Sequence, residues 1–185
     1  MVDDAMNKIA EDIPALKGYI QNIAMGQEDG IASLERNGSL LLLNYQDFVT
    51  EAAAKARLLE AVASGHTGHA SDPRFMLAHE LGHAAHTLAA LKSLGYSSFP
   101  PLLTKGYQLF EKAYTEVMIG AIATTNLPGT AEEVTRAINK EMGTRASDPF
   151  TEIVAQSFGM HYYGEGNHPI ADRVVAYIIS LIHKE

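Results

Sequence analysis

Residues 78–86 read Ala-His-Glu-Leu-Gly-His-Ala-Ala-His, a stretch with three histidines and one glutamate among small and apolar residues. His79 and His83 are four positions apart, so in a helix both imidazoles project from one face, one turn from each other. Two neutral imidazoles in this arrangement can bind one zinc ion. Glu80 is rotated by about 100° around the helix axis, where its carboxylate can take a proton from an attacking water. The stretch therefore predicts a zinc site on a helix, with Glu80 as the catalytic base.

The surroundings of this motif favour a metal site over a chance match. Asp72-Pro73 predicts a helix start and Gly95 its end, so the motif lies in the middle of one helix. Its other residues are small or apolar and predict a buried helix, in which two histidines and a glutamate without partners would carry a large desolvation penalty. His86 is close to the same face, but one turn beyond the metal. We expect it to be a core residue or a hydrogen-bond partner of the site.

A catalytic zinc needs a third protein ligand and one open position. Glu152 is the best candidate, because it opens a helix just after Asp148-Pro149. Gln156 follows one turn later on the same face, where its carbonyl oxygen can accept the second N–H of a zinc-bound imidazole. The alternative is that Glu152 binds no metal and occurs here because acidic residues favour the first turn of a helix. Glu141 and Asp148 are the fallback ligands.

The other histidines are not expected to bind the metal. His66 and His69 lie in the loop 64–71, either at the rim of the site or in solvent. The remaining three are expected at helix ends or on the surface: His161, His168 and His183.

Composition excludes several classes of protein. The 185 residues suit a single domain over residues 1–185. A formal charge of -8 and scattered basic residues argue against nucleic-acid binding. The absence of cysteine excludes disulfides, thiolate metal sites and cysteine nucleophiles. Neither a signal peptide nor a membrane-spanning run is visible, and the sequence leaves the compartment and oligomeric state open.

Helical signals dominate the chain, so we predict a mainly helical α+β domain with a small sheet. Apolar spacing predicts a helix over residues 3–26, broken or kinked at Pro14. Arg36-Asn37-Gly38-Ser39 predicts the turn of a hairpin between residues 31–34 and 40–43. The remaining predicted helices run over residues 46–63, from 72 to about 94, after Pro100-Pro101 to about 125, over 131–142 with a Thr130–Glu133 capping box, from Asp148-Pro149, and from Pro169.

Two motifs together resemble a known group of enzymes. His-Glu-Leu-Gly-His at residues 79–83, followed by Glu-Ile-Val-Ala-Gln-Ser-Phe at 152–158, resembles the gluzincin peptidases related to anthrax lethal factor and the Pro-Pro endopeptidases. Those enzymes carry a second glutamate where this chain has Gln156. The likeness covers about residues 72–164, including Met-His-Tyr-Tyr-Gly at 160–164. It implies a zincin-like fold, in which an active-site helix lies under a small twisted sheet and a glutamate helix crosses it. In such folds an edge strand binds the extended peptide substrate.

The resemblance also suggests which residue steadies the oxyanion. The family has a tyrosine seven residues before the third ligand, and this chain has Arg145 there. A guanidinium can donate hydrogen bonds without changing its protonation state. Tyr162 and Tyr163 are the next candidates, if they fold back over the cleft. The alternative is that none of the three contacts the substrate, so that Arg145 is a surface residue and both tyrosines are core residues.

Three other interpretations remain open. The segment from Arg74 to His83 is also similar to the repressor-cleaving ImmA/IrrE peptidases, whose third ligand usually follows much sooner than Glu152 does. A second interpretation is a binding or structural module that has the same fold but no catalytic activity. A peptidase that acts on one partner protein, as a translocated effector or toxin does, fits the same residues. Glu80 favours catalysis, since a purely structural zinc site has no use for it.

Overall fold

The computed structural model describes residues 1–27, 32–35, 37, 40–147 and 152–184. These residues form a mainly helical α+β structure with one small sheet, as predicted. The helices are α1 (Val2–Asp12), α2 (Leu16–Tyr19), α3 (Tyr45–Phe48), α4 (Glu51–Ala63), α5 (Arg74–Ser93), α6 (Lys105–Thr124), α7 (Ala131–Met142), α8 (Ile153–Tyr163) and α9 (Pro169–Ile182). The strands are β1 (Ile23–Gly26), β2 (Ala32–Leu34) and β3 (Leu41–Asn44), and a 3-10 turn covers Thr144–Ala146. No helix in the described ranges is long and apolar enough to cross a membrane.

Helix α5 is the centre of the fold. It begins where Asp72 Oδ1 accepts a hydrogen bond from the Arg74 N–H (3.0 Å), and it ends before Gly95, whose φ of 69° suits glycine. Most of its residues are buried, because α1, α6, α8 and α9 all pack against it. The motif at residues 79–83 is therefore held in the interior.

Helix α8 crosses α5 at very short range. A Cβ atom built on Gly82 would lie 2.7 Å from Ala155 Cα, so only glycine permits this approach. Gly159 faces Phe75 in the same way, at 2.6 Å. The close crossing places the start of α8 beside the histidines of α5.

The sheet has the order β1-β3-β2. Strands β2 and β3 pair antiparallel, which confirms the strands of the predicted hairpin. Within its turn, Arg36, Gly38 and Ser39 lie outside the described residues. β3 is the central strand, so β1 and β2 form the two edges.

The predicted helix over residues 3–26 is wrong beyond Tyr19. Pro14 separates α1 from the short α2, and Ile20 turns into extended backbone with a ψ of 111°. Ile23–Gly26 then pairs parallel with β3. The apolar spacing of this segment fits a helix locally, but pairing with a strand far along the chain determines its conformation.

Capping residues set the other helix boundaries. The predicted helix over residues 46–63 is two helices, because Thr50 is extended and its hydroxyl accepts the Ala53 N–H to start α4. The Thr130–Glu133 capping box and the start of α9 at Pro169 are confirmed. The predicted start at Asp148-Pro149 lies outside the described residues, and α8 begins at Ile153.

The close crossing predicts an unusual cost for a small substitution. Gly82→Ala should lower the free energy of unfolding by roughly 1–3 kcal/mol, because the new methyl group overpacks against Ala155. At an open helical position the same change is expected to be neutral or stabilising. Gly18→Ala is the control, since nothing lies within 4 Å of its Cβ position. Urea unfolding of both variants measures the difference, and a Gly82→Ala variant as stable as the wild type would contradict the tight crossing.

Candidate metal centre

Helices α5 and α8 bring together two histidines and a glutamate. The His79 and His83 rings lie 5.0 Å apart between centroids. Glu152 precedes α8, with Oε2 3.1 Å from His79 Nε2 and Oε1 3.7 Å from His83 Nε2. One ligand atom from each residue lies within 4.8 Å of the others, so the three side chains could hold one metal ion.

Gln156 determines which nitrogen of His79 carries the proton. Its Nε2 donates to the Met142 carbonyl (2.9 Å), which can only accept, so its Oε1 faces His79 Nδ1 at 3.0 Å. Nδ1 must therefore donate to Oε1, and Nε2 carries the lone pair. The sequence predicted that Gln156 accepts the second N–H of a zinc-bound imidazole, and the structure shows Gln156 fully buried beside the imidazole of His79.

His79 Nε2 fits a metal better than it fits the protein alone. The atom is buried and has no hydrogen-bond partner among the described residues. Its lone pair faces a carboxylate oxygen at 3.1 Å, which is a repulsive arrangement unless a cation lies between the two atoms. Two imidazoles and one carboxylate are donors that suit zinc.

The electrostatics separate the roles of the charged groups. Burial lowers the pKa of His79 to about 4, so this imidazole is neutral at pH 7. Glu152 accepts a charge-assisted hydrogen bond from Arg145 Nε at 3.1 Å, which favours the ionised form of its carboxyl group. Burial would also lower the pKa of His83, but Glu152 and Glu80 raise it. The site therefore presents an ionised carboxylate beside a neutral His79.

Glu80 lies beside this group without belonging to it. Its side chain is 6% exposed, and burial raises its pKa to about 7. It lines a cavity of about 410 Å³ that also reaches His79. A carboxyl group poised near neutrality can accept a proton and return it.

The cavity is lined by both apolar and polar side chains. Leu58, Phe75 and Met76 are its large apolar lining residues, and all three are buried. His79 and Glu80 belong to its polar lining. The contribution of α4 was not predicted from the sequence, because the apolar face of that helix carries no chemical signature and matches any core-facing helix.

The loop before α5 is fixed against the 3-10 turn. The Thr144 and Arg145 N–H groups donate to the carbonyls of Gly65 (2.9 Å) and His66 (3.1 Å). Two histidines of this loop were predicted to lie either at the rim of the site or in solvent. His66 lines the cavity, and His69 does not. The loop is therefore held in place by backbone hydrogen bonds and forms one wall of the cavity.

The structure separates the three oxyanion candidates. Arg145 lines the cavity, and its Nε donates to Glu152 Oε2 at 3.1 Å. The predicted position of the tyrosines over the cleft needs correction, because neither lines the cavity. The Tyr162 hydroxyl donates to Asp12 Oδ2 (2.7 Å), and the Tyr163 ring packs under Lys8, whose Nζ lies 4.6 Å from the ring centroid. Both tyrosines thus contact the N-terminal region of the chain.

Glu141 and His86 have hydrogen-bond partners away from the three clustered residues. Glu141 Oε1 accepts the N–H groups of Ile170 (2.7 Å) and Ala171 (2.9 Å), and so caps α9. His86 is buried, with Nε2 2.8 Å from the Tyr114 carbonyl and its ring stacked on that tyrosine. Asp148 lies outside the described residues. The last three histidines are far along the chain from the motif, at the ends of α8 and α9: His161, His168 and His183.

The Gln156 contacts predict a stability loss that does not depend on metal. Gln156→Leu should destabilise the metal-free protein by roughly 1–3 kcal/mol, because the buried His79 N–H loses its acceptor. Gln108→Leu, at an exposed position on α6, is the control. Urea unfolding in the presence of a chelator is the measurement, and equal stability of the two variants would contradict the assigned hydrogen bonds.

The chain was also compared with known proteins. It matches no protein-family model, no curated protein and no solved structure. The arrangement around His79, His83 and Glu152 is therefore the basis for the functional proposal.

Proposed function

We propose that this chain is a zinc-dependent endopeptidase, with His79, His83 and Glu152 as zinc ligands and Glu80 as general base. The observation that carries the proposal is the buried His79 Nε2, which has no hydrogen-bond partner among the described residues and faces the Glu152 carboxylate at 3.1 Å. A cation between these atoms removes the conflict. Three protein ligands leave one position open for water and substrate, as catalysis requires.

The acid–base work falls to Glu80. Bound zinc supplies Lewis acidity, which lowers the pKa of water and polarises the peptide carbonyl. As the water oxygen bonds to the carbonyl carbon, its proton passes to the Glu80 carboxylate. Glu80 then gives this proton to the amide nitrogen while the C–N bond breaks, which leaves a carboxylic acid and an amine. The second water proton stays on the new carboxyl group until it passes to the amine or to solvent, which gives a carboxylate and an ammonium ion. The burial of Glu80 beside the cavity supports this role, since an uncompensated buried carboxyl is costly.

The helical arrangement supports a zincin-like interpretation of the fold. One helix, α5, carries both histidines, a second, α8, follows the glutamate, and the two cross at Gly82. Because β3 is the central strand, an extended substrate would add to β1 or β2. The proposed substrate is a peptide or protein.

The cavity beside Glu80 is the proposed binding place for a substrate side chain next to the scissile bond. Its apolar lining residues Leu58, Phe75 and Met76 favour a large apolar side chain. The presence of Glu80 also argues for turnover over a purely structural metal site, in which this residue has no task.

Removal of the base tests the proposed function. The wild-type protein should bind one zinc ion and lose peptidase activity when zinc is chelated. Glu80→Gln should keep the zinc but lose roughly 10²–10⁴-fold in kcat, because the amide cannot accept the proton. Metal content by elemental analysis and cleavage of a peptide library are the two measurements.

Two further variants make this test specific. Glu116→Gln removes an exposed carboxylate on α6 and should leave kcat unchanged. His83→Ala should lose zinc. If Glu80→Gln lost zinc as readily as His83→Ala, Glu80 would be a ligand, and absence of metal from the zinc-supplied wild type would refute the proposal.

Narrowing the cavity should change substrate preference. Ala61 lines it from α4, so Ala61→Trp should lower kcat/KM about 10-fold or more for peptides with large apolar side chains at the cleavage site. Peptides with small side chains should be affected less. Ala56→Trp, at an exposed position of α4, is the matched control. Equal losses for large and small side chains would place the specificity pocket elsewhere.

A further inference from the structure

Arg145 contacts the metal-binding glutamate, and this contact suggests a role different from a donor to substrate. Its Nε donates to Glu152 Oε2 at 3.1 Å, and the same oxygen lies 3.1 Å from His79 Nε2. We infer that Arg145 is a positioning residue that holds the Glu152 carboxylate against the two histidines and thereby sets zinc affinity. The inference rests on the proposed zinc site.

The Glu152 carboxylate needs such a partner, because its own helix does not hold it. Glu152 is the N-cap of α8, yet its side chain makes no capping hydrogen bond. Among the described residues, its oxygens contact His79, His83 and Arg145. His79 Nε2 has no proton to donate to the carboxylate, since the proton is on Nδ1, whereas the Arg145 guanidinium forms a charge-assisted hydrogen bond.

Arg145 is itself held by a separate part of the chain. Its backbone N–H donates to the His66 carbonyl, so the 3-10 turn is fixed to the loop that precedes α5. Gly143, with a φ of 86°, starts this turn, and a Cβ there would lie 2.6 Å from the Thr67 backbone. The guanidinium therefore reaches Glu152 from a rigid wall that does not depend on the Arg145 side chain.

The position of the guanidinium also suits the charge of the site. Glu152 is 18% exposed and Glu80 is 6% exposed, and their charges interact where both groups have little access to water. A fixed positive charge beside them offsets their repulsion before the metal binds. The Arg145 side chain is 41% exposed and also lines the cavity.

The test compares zinc affinities and does not depend on activity. Arg145→Met removes the donor but keeps an unbranched side chain, and it should weaken zinc binding by roughly 10- to 100-fold in competition with a chromophoric chelator. Arg145→Lys keeps a charge and should recover part of this loss. Arg57→Met is the matched control for zinc affinity, because Arg57 lines the same cavity and pairs with Glu60, while its side chain is 46% exposed.

A double-mutant cycle separates positioning from general loss of structure. In a Glu152→Gln background, Arg145→Met should weaken zinc binding by less than threefold, because the carboxylate it positions is gone. Thermal unfolding of the metal-free variants checks that they fold. The kcat at saturating zinc is measured separately, so that an effect on zinc affinity is distinguished from an effect on the substrate.

The outcomes distinguish this inference from the proposed function. Unchanged zinc affinity in Arg145→Met, or an equal loss in both backgrounds, would overturn the positioning role. Unchanged affinity with a collapse of kcat would assign the guanidinium to the substrate instead. If the wild type binds zinc but cleaves no peptide, only the proposed activity fails, and the affinity comparison still decides the role of Arg145.

Discussion

The close crossing of α5 and α8 is the constraint on which the site depends. At Gly82 the two helix backbones meet without a side chain between them, so residues one turn away on each helix come into direct contact. His79 then meets Gln156, and the residue before α8, Glu152, reaches both histidines. A wider helix spacing would leave the same residues too far apart to share an ion.

This packing brings polar groups into the interior, where each needs a partner. The His79–Gln156–Met142 chain satisfies one side of the imidazole, and the Arg145 guanidinium satisfies one oxygen of Glu152. The other side of the imidazole, Nε2, has no hydrogen-bond partner among the described residues and faces the Glu152 carboxylate.

The parts of the site that were predictable lie on single helices. The spacing of His79 and His83, and of Glu152 and Gln156, fixes which residues share a face before any tertiary structure is known. The missed parts depend on partners far along the chain. Residues 23–26 form strand β1 because they pair with β3. The position of the Tyr162 side chain is fixed by its hydrogen bond to the carboxylate of Asp12, 150 positions away. Likewise, the apolar wall from α4 becomes recognisable only once that helix is docked beside Glu80.

The Met142 carbonyl has an effect beyond holding Gln156 in place. Met142 is the last residue of α7, so its carbonyl belongs to the end of that helix, where the aligned peptide dipoles leave partial negative charge. The hydrogen-bond chain through Gln156 conveys this polarisation to the Nδ1 side of His79. Electron density is pushed towards Nε2, which makes that nitrogen a stronger Lewis base. A helix that carries none of the three clustered residues thus contributes to the basicity of His79 Nε2.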